Sequence, residues 1–143
     1  MRVPVVDASV VVDWVAPDAD PASGAMVALH RLVSDEAELL APRLLLQEVA
    51  NALLTGVRRQ RWEGVAADAA LRLLHELPVR LVDDTRDLAR AWELARRHDN
   101  HPIYDMVYAA LAERNRTTLV TADDALRRRL VSFDWVIAPE RLA

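Results

Sequence analysis

The segment VPVVDASVVVDWV, Val3 to Val15, sets the architecture. Val3 to Val6 reads as a short buried strand, Asp7 ends it, and SVVVDWV follows as a helix. The same alternation repeats along the chain. DPASGAMVALHRLVSD (20–35) has helical periodicity with Pro21 at an early position, and ELLAP (38–42) is a second short strand stopped by Pro42. RLLLQEVANALLTGVRRQ (43–60) is a strong helix in which Leu46, Val49, Leu53 and Val57 share one stripe. EGVAADAALRLLHEL (63–77) is another helix, broken by Pro78, and VRLVD (79–83) is a third strand. TRDLARAWELARRH (85–98) carries Leu88, Ala91, Trp92 and Ala95 on one helical face. HPIYDMVYAALAERN (101–115) is the next helix, TTLVTADDALRRRL (117–130) reads strand, turn, helix, and WVIAP (135–139) is a final strand. Alternating strands and helices predict an α/β fold. Its central sheet is short, mostly parallel, of about four to five strands, and covered by helices on both faces. No repeat or boundary divides residues 1–143, which read as one domain.

Composition narrows the function. The chain has 143 residues, 52% hydrophobic, with three glycines, and so holds enough apolar material for a packed core. With no cysteine, disulfides, thiolate zinc sites and cysteine nucleophiles are excluded, which fits a cytoplasmic protein. All 18 basic residues are arginine, so a P-loop lysine or a Schiff base is excluded as well. MRVPVVDAS predicts no signal peptide, and no apolar run approaches the roughly 20 residues of a membrane span. The net charge of −4 means that contact with nucleic acid needs a local basic patch, for which Arg58 to Arg61 and Arg127 to Arg129 are candidates beside their plainer reading as solvated helix ends.

Within the helix 101–115, Ile103, Met106, Val107, Ala110 and Leu111 recur at core-facing spacing, and Asp105 interrupts them. A bare carboxylate against a core costs several kcal/mol unless it is paired, protonated or bound to a cation. Asp7 and Asp123 follow strands, and Glu48 sits early in an apolar helix. In a parallel α/β sheet, ligands bind beyond the carboxyl ends of the strands. Four converging carboxylates would repel one another, and a hard divalent cation with oxygen ligands reverses that. Singly, Asp7 and Asp123 could be helix caps and Glu48 a solvated helix residue.

VVDAS (5–9), LLLQEVANAL (44–53), HPIYDMVYAALA (101–112) and LVTADDAL (119–126) together resemble the PIN domain, and specifically the VapC toxins of VapBC toxin–antitoxin systems. The resemblance places Asp7, Glu48, Asp105 and Asp123 on the family's four acidic positions. It places Ser9 on an accompanying hydroxyl position. Thr121, with one residue between it and Asp123 as in the family's spacing, favours Asp123 over the adjacent Asp124. It implies an endoribonuclease dependent on Mg²⁺ or Mn²⁺, in which Asp7 and Asp105 hold the principal ion and Glu48 and Asp123 hold further waters or a second ion. It also implies water activated by metal for attack on RNA, a homodimer, and a small VapB-like antitoxin. Asp13 and Asp99 match no acidic position and read as surface charges. A haloacid dehalogenase needs an aspartate where this chain has Ser9, and a lysine it lacks. A catalytically silent PIN-fold interaction module should have lost acidic positions that are all present here. His98 and His101 in HDNH have metal-binding spacing but no third ligand. Trp14, Trp62, Trp92 and Trp135 read as core or interface residues.

Overall fold

The structure is a computed structural model that describes residues 3–142. Five strands form one all-parallel sheet: β1 (Val5–Val6), β2 (Leu39–Pro42), β3 (Val79–Val82), β4 (Leu119–Val120) and β5 (Val136–Ile137). They lie side by side in the order β3-β2-β1-β4-β5, with Val5 opposite both Leu40 and Leu119. The expected α/β architecture is therefore present, with all strands parallel. β1, β4 and β5 hold two residues each, shorter than their apolar runs in the sequence, whereas β2 and β3 pair over four positions.

Seven α-helices connect the strands among the described residues: α1 (Ala8–Val15), α2 (Gly24–Ser34), α3 (Leu44–Arg58), α4 (Gly64–Leu74), α5 (Thr85–Arg97), α6 (Ile103–Arg114) and α7 (Asp124–Arg129). Right-handed crossovers between parallel strands fix their sides. From β1 through β2 to β3 the chain moves one way, so α1 to α4 share a face, and α1 packs against α2, α3 and α4. From β3 the chain returns across the sheet to β4, so α5 and α6 cover the opposite face, with α6 against β1, β2 and β4. The strand order thus reverses direction between β1 and β4, which opens a crevice at their carboxyl ends.

Local chemistry explains where the helices begin. α2 starts at Gly24, later than the periodicity from Asp20 suggests, because Asp20 first closes a turn. Its Oδ1 accepts from Ala22 N–H at 2.9 Å, and Ser23 Oγ then caps Met26 N–H at 3.1 Å. α3 and α4 meet closely because Gly56 has no side chain. A Cβ there would stand 2.2 Å from the Trp62 ring, which is buried and donates to Leu53 O at 2.9 Å.

α5 turns only part of its apolar face inward. Ala91 and Ala95 are buried, but Leu88 and Trp92 are 59% and 64% exposed, so Trp92 is no core residue, and Leu94 and Asp87 are buried. The reason is an ion pair. Asp87 Oδ1 and Oδ2 accept from Arg114 at 2.7 and 2.9 Å, so the face of α5 turned to α6 is the one carrying Asp87, and the helix is rotated away from Leu88 and Trp92. In α6, Met106, Tyr108, Ala109, Ala110, Leu111 and Ala112 are all buried, because the helix lies between the sheet and α5. No helix among the described residues is long and apolar enough to cross a membrane.

Candidate active site

Asp7 sits at the point where the strand order reverses. Its N–H donates to Val120 O at 2.9 Å, which continues the β1–β4 ladder, and its side chain is 5% exposed. The position is the N-cap of α1, yet the carboxylate makes no capping bond. Instead Oδ2 accepts from Ser9 Oγ at 2.7 Å and from Thr121 Oγ1 at 2.8 Å. The two hydroxyls lie 3.3 Å apart, and Ser9 Oγ also accepts from Ala122 N–H at 3.0 Å. The plain cap reading of Asp7 therefore does not describe this side chain.

Burial pushes the Asp7 carboxyl above its ordinary value of 3.8. The Ser9 and Thr121 hydroxyls pull the other way, and the charge of Asp105 adds to the rise. Glu48 behaves alike. Burial raises it above 4.5, the Tyr108 hydroxyl opposes that, and Asp7 and Asp105 raise it further. Asp7, Glu48 and Asp105, which come from the end of β1, from α3 and from α6, are thus close enough to feel one another's charge. Among the described residues, two buried side-chain atoms make no hydrogen bond of good geometry, and both are here: Glu48 Oε1 and the Tyr108 hydroxyl, which are each other's nearest polar company. Tyr108 is pushed far above its ordinary range by burial and by the Glu48 charge beside it.

Asp105 occupies the first turn of α6, where the helix dipole favours a carboxylate, and its Oδ2 lies 2.7 Å from His101 Nε2. Asp123 is placed differently. Its Oδ1 accepts from Leu126 N–H at 3.1 Å and caps α7, while its own N–H donates to Thr121 Oγ1 at 3.1 Å. Thr121 therefore ties Asp123 to the Asp7 cluster through the backbone, and the Asp123 side chain spends one oxygen on the cap. Asp124 is exposed and paired with Arg127, which also donates to Thr121 O. In the other arginine cluster, Arg61 pairs with Asp18 at 2.8 Å and lies over the Trp62 ring, and Arg58 bonds Thr55.

Residues 5–129 match the sequence model of the PIN domain. The chain belongs to the PIN domain family. Its similarity to known proteins also extends over most of the chain. It is 34% identical over 124 residues to Ribonuclease VapC3 of Mycobacterium tuberculosis, strain CDC 1551 / Oshkosh, and to the same protein of strain ATCC 25618 / H37Rv, covering 87% of this chain and 85% of each relative. A solved structure, that of PAE2754 from Pyrobaculum aerophilum, superposes with a TM-score of 0.74 at 23% identity over 99% of this chain and 92% of that one, a likeness of fold.

The donor set of this PIN domain suits a hard cation. Among the described residues, no three His, Asp or Glu side chains stand around one point as a finished cage. Mg²⁺ needs none, because it takes one or two carboxylates and keeps several waters. A buried Glu48 oxygen without a hydrogen bond of good geometry and two carboxyls held above their ordinary values are what a site for such an ion would leave when built of oxygen alone. A cleft of about 320 Å³ lies alongside, lined by Pro42, Arg43, Val82, Asp84, Ile103 and Tyr104 and containing none of the four acidic residues. Reading the sequence missed two contributors, Tyr108 beside Glu48 and His101 on Asp105. The four-residue spacing from His101 to Asp105 was the available signal for the second.

Proposed function

We propose that this chain, residues 1–143 acting as one domain, is a VapC-type endoribonuclease that depends on Mg²⁺ or Mn²⁺. Asp7 and Asp105 would hold the principal ion, with Glu48 and the free oxygen of Asp123 completing the site. One observation supports this reading: Asp7, at the crevice between β1 and β4, forgoes capping and shares its field with Glu48 and Asp105 from distant elements, each carboxyl of Asp7 and Glu48 being raised in part by its acidic neighbours. A divalent ion bound there supplies positive charge that acidifies water and offsets the negative charge developing on a phosphodiester. The protein's own part is orientation. Ser9 and Thr121 both donate to Oδ2 of Asp7 and fix the plane of its carboxylate, and Thr121 passes that order to Asp123 through the backbone. The 34% identity to Ribonuclease VapC3 supports RNA as the substrate and the toxin role. A small VapB-like antitoxin as inhibitor, a homodimer and a cytoplasmic setting complete the proposal. The exposed Leu88, Trp92 and Tyr104 side chains offer apolar surface for such contacts.

The test is cleavage of RNA by the purified chain, freed of any antitoxin, with Mg²⁺ or Mn²⁺ and again with EDTA. Cleavage should require the metal, and Asp105→Asn should abolish it while leaving the fold intact. Equal cleavage in EDTA overturns the metal dependence, and unimpaired cleavage by Asp105→Asn overturns the site. A folded parent that binds its partner yet never cuts RNA would make the chain an interaction module.

A further inference from the structure

His101 belongs to none of the acidic positions, yet its ring nitrogen Nε2 is 2.7 Å from Asp105 Oδ2, with the two side chains only 17% and 28% exposed. An ionised carboxylate can only accept, so Nε2 carries the proton and donates it. The segment that delivers this histidine is expensive to fold. Asp99 and Asn100 both have φ of 57°, two successive residues in left-handed backbone without a glycine. Asparagine and aspartate tolerate that region better than most residues, but each still carries a conformational cost. The linker is pinned from three directions. Arg96 of α5 donates to Asn100 Oδ1. Arg129, at the end of α7, donates to Asp99 Oδ2 at 2.9 Å and to His98 O at 3.4 Å. His101 N–H donates to His98 O at 3.1 Å, so the backbone of His101 is fixed before its ring meets Asp105. A strained turn persists where its surroundings over-determine it, and what this turn delivers is the aim of one imidazole.

We propose that His101 is a positioning residue for Asp105, whose Oδ2 it holds so that the other carboxylate oxygen stays available to a divalent cation shared with Asp7 and Glu48. The proposal rests on the metal-nuclease reading. Among the described residues only one oxygen of Asp105 is engaged, which leaves the donor a hard cation needs, and outer partners of this kind typically contribute 10- to 100-fold in metal affinity.

The experiment is a Mn²⁺ titration of the full chain by calorimetry, with RNA cleavage followed over the same metal range. The parent is compared with His101→Ala, His101→Gln and His101→Asn. His101→Ala should weaken Mn²⁺ binding roughly 10-fold or more and raise the Mn²⁺ needed for half-maximal cleavage, with much of the rate recovered at saturating metal. The Gln amide reaches the Nε2 position and the Asn amide does not, so Gln should restore most of the affinity and Asn little. That comparison also decides the matter should the alanine variant misfold. Affinity equal to or tighter than the parent's in His101→Ala, or Gln no better than Asn, overturns the proposal. A parent that neither binds Mn²⁺ nor cleaves RNA with it overturns the metal-nuclease reading itself, so the two failures are told apart.

Discussion

Thr121 Oγ1 stands 2.8 Å from Asp7 Oδ2 and closes a separation of 114 positions in the chain with one hydrogen bond. The bond spans the crevice where the sheet changes direction, and Thr121 is fully buried, so no water replaces the hydroxyl if it is removed. Hydrogen bonds to charged groups contribute about 1.5–3 kcal/mol; Asp7 Oδ2 keeps its Ser9 donor, while the Asp123 N–H loses its acceptor. Thr121→Val should therefore lower the unfolding free energy in urea by roughly 2 kcal/mol, whereas Thr121→Ser should keep most of it. RNA cleavage should fall in the Val variant and persist in the Ser variant. A Val variant as stable and active as the parent would show that the hydroxyl is idle.

Asp7 and Glu48 give the metal-free protein an unusual pH dependence. Both carboxyls are raised in the folded state, so between their ordinary values of 3.8 and 4.5 and their raised ones the folded chain binds more protons than the unfolded chain. Stability from these two groups is therefore greatest below about pH 4 and is lost as pH rises through the raised values. A cation that binds the ionised forms reverses the loss. Melting temperature in EDTA and in Mn²⁺ should diverge as pH rises through the raised values, with the Mn²⁺ gain smallest in acid. Asp7→Asn should be more stable than the parent in EDTA above the raised values, and should lose most of the Mn²⁺ gain. A Mn²⁺ gain independent of pH would contradict this account.

The layout of strands and helices was legible because each apolar run is bounded by proline, aspartate or an N-cap residue, as Pro42, Pro78 and Ser23 show. The clustering of Asp7, Glu48 and Asp105 was legible as chemistry, since unpaired carboxylates in apolar runs need a shared reason. Tertiary pairing was not legible. Nothing local to 85–98 announces that Asp87 will meet Arg114, 27 residues on, and it is that pairing which turns Trp92 to solvent. For the same reason the capping oxygen of Asp123 was open in the sequence. Only the geometry of Leu126 N–H shows that one oxygen is spent. Trp92→Ala should therefore change stability by no more than about 0.5 kcal/mol, while Leu94→Ala, at a fully buried position, should cost about 2–5 kcal/mol. Urea unfolding of the two variants measures both.

The Asp87–Arg114 pair should reveal itself by asymmetry. Asp87 is 5% exposed and accepts two bonds from Arg114, whose guanidinium also lies 3.7 Å from Asp84. Removing the guanidinium strands a desolvated carboxylate between α5 and α6, and losses of about 3–5 kcal/mol are typical when one member of a buried pair is taken away. Arg114→Leu should approach that range. Removing both charges removes the stranding, so Asp87→Leu combined with Arg114→Leu should recover a large part of the loss. A double-mutant cycle by urea denaturation measures the difference. Equal, additive effects of the two single changes would mean that the pair is solvated in solution, and the rotation that exposes Trp92 would then need another cause.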